Sequence, residues 1–141
     1  MAQDSEGVTL APDIARAGVA AVLNDPASPR GKYHVVEVDG DVIGQLFITF
    51  EWSDWRNAQI WWVQSVYVVP EHRRKGHYRA LYQHVRQLAL AQGVCGIRLY
   101  ADDHNARAMT TYEALGMTSH YKVYEDMFDN AGMTGYANNS T

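Results

Sequence analysis

Between Ile60 and Val69 the chain reads IWWVQSVYVV, ten residues with apolar side chains on both faces of a period-two strand. A strand of that kind lies inside a sheet that is covered on each side, which commits the chain to a layered α/β architecture. Pro70 ends the run, since it has no N–H to give to a ladder. The next residues, Glu71 to Arg79, form a basic turn around Gly76, and beyond it the apolar period changes to that of a helix.

The other elements fall around this strand. Tyr33–Val38 and Val42–Phe50 read as a hairpin closed by Asp39-Gly40, a pair suited to the positive φ of a tight turn. Residues 51–58, EWSDWRNA, read as a loop. Ahead of the hairpin, Val8–Leu10 suggests a short strand. Pro12 opens a helix striped by Ile14, Ala17, Gly18, Ala21 and Val22, and Asp25-Pro26 stops it near Asn24. Leu81, Val85, Leu88 and Gln92, with Ala80 and His84 alongside, predict a helix from about Gly76 to Gln92, stopped by Gly93. Ile97–Ala101 reads as a strand. Asn105 caps a helix over Ala106–Leu115 that Gly116 closes, and Ser119–Phe128, rich in Tyr and Val, reads as a final strand. The expected fold is one domain over residues 1–141, a mixed, mostly antiparallel sheet with flanking helices and at least two crossover units.

Charge narrows the function. The net charge is -4, from 12 Lys and Arg against 16 Asp and Glu, which argues against nucleic acid as partner. Arg73, Arg74, Lys75 and Arg79 nevertheless cluster in one turn, which suits a small anion better than a polyanion. No apolar run reaches the ~20 residues of a membrane span, and the acidic start does not read as a secretory leader. The single Cys95 fits a reducing, cytoplasmic compartment and is expected to pack as a small hydrophobe. The six histidines have no ligand spacing, so no metal is expected.

A turn between a buried strand and a helix presents unpaired N–H groups and the positive end of the helix dipole, both favourable to phosphate. Gly76 leaves the backbone accessible, and Arg73, Arg74 and Lys75 add charge. Val68-Val69-Pro70 followed by Arg73-Arg74-Lys75-Gly76-His77-Tyr78 resembles the acyl-CoA motif of the GNAT acetyltransferase superfamily, Gln/Arg-x-x-Gly-x-Gly/Ala after a strand ending in Val-x-Pro. Tyr78 stands where that motif has Gly or Ala. Further on, Asn105-Ala106-Arg107-Ala108 and Tyr112-Glu113-Ala114-Leu115-Gly116-Met117 resemble the family's Asn…Tyr-Glu-x-Leu-Gly-Phe signature.

The resemblance implies an N-acetyltransferase that takes acetyl-CoA and a primary amine of a small cationic acceptor. A peptide or lysine acceptor, or a non-catalytic acyl-CoA-binding module, are the alternatives. An amine must lose a proton to attack a thioester, the developing oxyanion needs donors, and the thiolate needs a proton. By resemblance, backbone groups of Val66, Tyr67 and Val68 meet the acyl and pantetheine parts on a splayed central strand. Arg73 to Arg79, with Gly76, His77 and Tyr78, hold the pyrophosphate, Asn105 the pantetheine, and Tyr112 is the general acid. For the acceptor the candidates are Glu51, as base or cation anchor, with Asp54, Trp52, Trp55 and Gln64. Aromatic rings beside acids suit an ammonium group. About thirty residues precede Tyr33, fewer than the family's usual strand and two helices. That shortened start, and a polar tail over 130–141 carrying Met133 and Tyr136, lead to the expectation of a homodimer.

Overall fold

The computed structural model describes residues 9–128 and 133–134. Val8 and Tyr136 lie outside them. In chain order the elements are β1 (Thr9–Leu10), α1 (Pro12–Leu23), β2 (Lys32–Val38), β3 (Asp41–Ser53), β4 (Ala58–Val68), α2 (His77–Ala91), β5 (Gly96–Leu99), α3 (Ala106–Ala114) and β6 (Met133–Thr134). The chain divides into two compact units, one over Ala21–Tyr100 and one formed by Met1–Ala20 with Ala101–Thr141.

The Ala21–Tyr100 unit is built on a four-stranded sheet in the order β2-β3-β4-β5. β2, β3 and β4 are antiparallel neighbours, and β5 joins β4 in parallel after the α2 crossover. At the β2–β3 turn Asp39 (φ 51) and Gly40 (φ 85) both adopt the left-handed conformation that their types tolerate. Directly opposed residues share a face. Leu46, Ile48, Trp61 and Val63 thus line one face, which packs on Leu81, Val85 and Ala89 of α2 and on Val94. The three α2 residues recur every fourth position and form one stripe. Gly93 (φ 74) ends α2: Gly93 N–H donates to Leu90 O at 3.3 Å and Val94 N–H to Ala89 O at 2.9 Å, the double bond pattern of a glycine-stopped helix.

Two details of β4 shape the surface it presents. Trp61 faces the core at 4% exposure, whereas Trp62, its neighbour on the other face, is half-buried. The ladder with β3 shifts between the pairs Ile48–Val63 and Phe47–Ser65, so Gln64 is an extra residue, a β-bulge. Because of it, Val66 turns to the core cluster where unbroken alternation would have sent it outward.

The Met1–Ala20 with Ala101–Thr141 unit pairs β1 with β6 antiparallel, Thr9 opposite Thr134. α3 is capped by the Asn105 side chain, whose oxygen accepts from Ala108 N–H at 3.0 Å. It ends as α2 does, with Gly116 N–H donating to Glu113 O at 2.9 Å and Met117 N–H to Tyr112 O at 3.2 Å. The stretch from Tyr112 to Met117 is therefore a helix-stop signal as well as a family motif.

Three sequence expectations are corrected. Residues 51–58 are not a loop: the ladder continues through Glu51–Ile60, Trp52–Gln59 and Ser53–Ala58, leaving only Asp54–Asn57 as the turn. Polar side chains there mark a solvated strand end, which hydropathy alone reads as a loop. Ser119–Phe128 forms no strand, and Tyr124 and Phe128 are 89% and 97% exposed. Strand-forming residue types need a neighbouring edge, and without it propensity decides nothing; the second crossover is thus absent among the described residues. Cys95 is exposed, its thiol 3.2 Å from Gln59 O at the entry to β5.

Two measurements test this packing. Leu46, fully buried, costs about 2–5 kcal/mol of stability as Leu46→Ala, read from urea unfolding. His34 of β2 lies edge-on to His84 of α2, ring centroids 5.8 Å apart, and its buried Nε2 has no hydrogen-bond partner among the described residues. Burial first, then the nearby His84 and Lys32, lower its pKa from 6.5. The unfolded chain then takes up this proton before the folded one does, so stability falls as pH drops below about 6.5 towards the folded value. A His34→Phe variant is expected to show a shallower loss over that interval, and an unchanged slope counts against His34 as its source.

Candidate active site

The β4–β5 ladder stops at Val63–Leu99, while β4 runs on to Val68 against β3. From Gln64 to Val68 no described strand pairs with β4 on the β5 side. Backbone groups alternate between the two sides of a strand, so about half of those in this stretch face that edge. Val66, Tyr67 and Val68 lie here.

The chain then turns sharply. Val69 N–H donates to Ile43 O at 2.8 Å, Pro70–His72 makes one 3₁₀ turn, and Arg74 (φ 61) and Gly76 (φ 84) are both left-handed. Left-handed residues interleaved in this way curve the backbone into a concave set of N–H groups, a geometry suited to anions. No side chain caps the first turn of α2, whose N–H groups and dipole add to the same effect. A Cβ built on Gly76 would meet nothing within 4 Å, so glycine answers to its backbone angle and the space above it is open.

The basic side chains divide. Arg74, Lys75 and Arg79 are exposed. Arg73 turns back along β4: its Nε donates to Val68 O at 2.8 Å and its guanidinium lies 5.3 Å from the Tyr67 ring centre. His77 sits in the first helical turn, 5.9 Å ring to ring from His72, and Tyr78 beside it is half-buried.

On the sheet face away from α2, Thr49 and Glu51 of β3, Trp62 and Gln64 of β4 and Arg98 of β5 come together. Gln64 Nε2 donates to Thr49 Oγ1 at 2.9 Å. Glu51 Oε2 accepts from Arg98 Nη1 at 3.0 Å, an ion pair that spans β4. The Arg98 guanidinium lies 6.0 Å from the Trp62 ring centre, and Tyr100 packs on the same ring at 4.7 Å. Glu51 and Gln64 are thus in the constellation. Trp52, Asp54 and Trp55 are not: Trp52 alternates to the opposite face of β3 from Glu51, and Asp54 and Trp55 lie in the hairpin turn. Trp52 and Trp55 are 61% and 88% exposed. Sequence reasoning misses that Arg98, Trp62 and Tyr100 gather with Glu51. The available signal was Arg98, a lone charge inside the short apolar strand Ile97-Arg98-Leu99.

In the other unit Asn105 uses its side-chain oxygen to cap α3, and Tyr112, half-buried, lies in the last turn of that helix. Just before the cap, Asp102 accepts from His104 N–H at 2.7 Å, the main reason its carboxyl titrates below the ordinary range.

The turn's backbone gives a paired prediction of opposite sign. Gly76→Ala meets no clash yet forces a Cβ into the left-handed region, a loss of about 1 kcal/mol, whereas Arg74→Gly relieves the same penalty and gains up to about 1 kcal/mol. Thermal unfolding of the two variants checks both signs.

The acetyltransferase (GNAT) family model matches residues 6–117. A thialysine N-epsilon-acetyltransferase of Bos taurus is 34% identical over 98 residues, 70% of this chain and 52% of that protein. The chain spans about half the length of the curated relatives it matches. A solved structure described as a possible acetyltransferase from Clostridium difficile 630 is 40% identical, with a TM-score of 0.83 over 92% of this chain and 85% of that one. An aminoglycoside acetyltransferase from an uncultured soil metagenomic sample shares the fold at 15% identity, TM-score 0.68, over 80% of this chain and 72% of its own. With the strand, turn and helix in place and most of the length matched, this chain belongs to the GNAT acetyltransferase family.

Proposed function

We propose that the protein is an N-acetyltransferase that moves an acetyl group from acetyl-CoA to the primary amine of a small acceptor. The observation that carries this reading is the coupling of an unpartnered β4 edge over Gln64–Val68 to a left-handed, basic turn that opens α2. An acyl-CoA needs both parts: N–H groups and cations for its phosphates, and a strand edge for its amide-containing arm.

The residues fit that group. Backbone N–H groups from Arg74 to Tyr78, with the Arg74 and Lys75 side chains, bind the pyrophosphate. Arg73, held against Val68 O and Tyr67, contributes field and loop rigidity more than a direct contact. The edge of Val66–Val68 pairs with the pantetheine amides, a role that the family resemblance also gives to Asn105, whose oxygen is engaged in the α3 cap. Bound acetyl-CoA supplies an activated thioester acyl group. The acceptor ammonium approaches over Trp62 towards Glu51, which binds the cation and takes its proton. Tyr112, in the role that the family resemblance gives it, donates its hydroxyl proton to the departing sulfur.

The support is family membership and relatives whose names describe amine acetylation. Titrating acetyl-CoA into the protein by calorimetry tests the cradle. Micromolar binding is expected, weakened at least about tenfold in an Arg74→Ala/Lys75→Ala variant. No binding to the native chain sinks the proposal. With an acceptor found by an amine screen, Tyr112→Phe is expected to lower kcat by roughly 10²-fold with acetyl-CoA affinity unchanged.

A further inference from the structure

The turn that opens α2 carries two histidines among its fixed cations. Glu71, Arg73, Arg74, Lys75 and Arg79 are exposed there, whereas His72 and His77 are half-buried. His72 closes the 3₁₀ turn, His77 opens α2, and the loop of residues 73–76 with its two left-handed residues lies between them. The two rings meet across that loop, 5.9 Å between centres and tilted by 56°. Among the described residues neither ring has a hydrogen-bond or ion-pair partner. The His77 N–H also precedes the first bond of the helix, Ala80 N–H to Gly76 O at 3.0 Å, and so belongs to the concave set that faces an anion.

Histidine is the side chain that ordinarily gains or loses its charge across the physiological pH range. Around this pair Arg73, Arg74, Lys75 and Arg79 are cations, Glu71 is the one acid of the turn, and neither β4 nor α2 contains Asp or Glu. Two imidazolium rings there have almost no acid to answer them. A bound pyrophosphate supplies negative charge at that point, and a nearby opposite charge favours the protonated ring. By linkage the effect runs both ways: an anion that draws protons onto the rings is itself held more tightly once they are protonated.

Resting on the acyl-CoA reading above, we propose that His72 and His77 form a proton-linked wall of the phosphate cradle, which holds its ligand more tightly as pH falls from about 8 to about 6. Arg74 and Lys75 give affinity at every pH, and the two histidines make it adjustable. The acceptor step runs the other way, because a free amine is more abundant at higher pH. Cofactor hold and amine attack thus pull in opposite directions, and the histidines narrow the interval in which both are satisfied.

The probe is dephospho-coenzyme A, whose pyrophosphate stays ionised over this interval. It lacks the phosphate monoester of coenzyme A, a group that itself titrates near ~6. Calorimetry on the full chain at about pH 6 and about pH 8 is expected to give at least about tenfold tighter binding at the lower pH. Midway between them, two buffers of unlike ionisation enthalpy report the protons taken up on binding, and roughly half to one proton is expected. In His72→Gln/His77→Gln the uptake and the pH dependence both vanish, whereas Lys75→Ala weakens binding at either pH and keeps the uptake. His34 and His84 remain in these variants, so uptake that persists in the double variant overturns the proposal. Equal native affinity at the two pH values overturns it too, and leaves the acyl-CoA reading intact. Should the double variant unfold, shown by circular dichroism, the single variants decide, each expected to lose part of the uptake. If dephospho-coenzyme A binds at neither pH, the acyl-CoA reading fails and sulfate, ionised throughout, decides the histidines. Stabilisation by sulfate against heat at the lower pH that is absent in the variants keeps the anion site without the coenzyme, and no such effect removes both.

Discussion

The site depends on unequal pairing of one strand. Among the described residues, β4 has a strand neighbour on both sides through Val63 and on the β3 side alone from Gln64 to Val68. Buried backbone groups have to find partners, so a central strand that loses one neighbour midway is poised to accept an extended ligand in its place. The freedom that a loop would have is absent here: β3 holds the far side of β4 through the whole stretch, and α2 packs on Leu46, Ile48, Trp61 and Val63 from one face. The edge is open and the strand that carries it is rigid.

Much of this was legible in the sequence, and for identifiable reasons. The run IWWVQSVYVV announced a central strand because no exposed strand tolerates apolar groups on both faces. Asp39-Gly40, Gly93 and Gly116 marked a turn and two helix ends because few residues accept the left-handed conformation found there. Gly76 and its basic neighbours marked the left-handed turn that opens α2. These signals are local, each fixed by the conformational range of a residue or two.

What the sequence hid is pairing between distant segments. Glu51, Trp62 and Arg98 meet because three strands lie in one register, and nothing in the spacing of 51, 62 and 98 reports that. The four tryptophans, read as one aromatic cluster, separate for the same reason: Trp61 goes to the core, Trp62 to the opposite face, and Trp52 and Trp55 to the hairpin end. Ser119–Phe128 shows the limit from the other side. Its Tyr and Val content is right for a strand, and its pairing is not there to make it one.

The bulge at Gln64 means that β4 is written in two reading frames. Before it, odd-numbered residues face the core; after it, even-numbered ones do, which is how Trp61, Val63 and Val66 share one cluster. Drawing Gln64 into regular pairing, with no residue bulged, would therefore act as a frameshift in space. Val66 would turn out, Tyr67 would turn in, and Arg73 would lose the ring it stacks on, although every residue of the motif beyond it remained in the sequence.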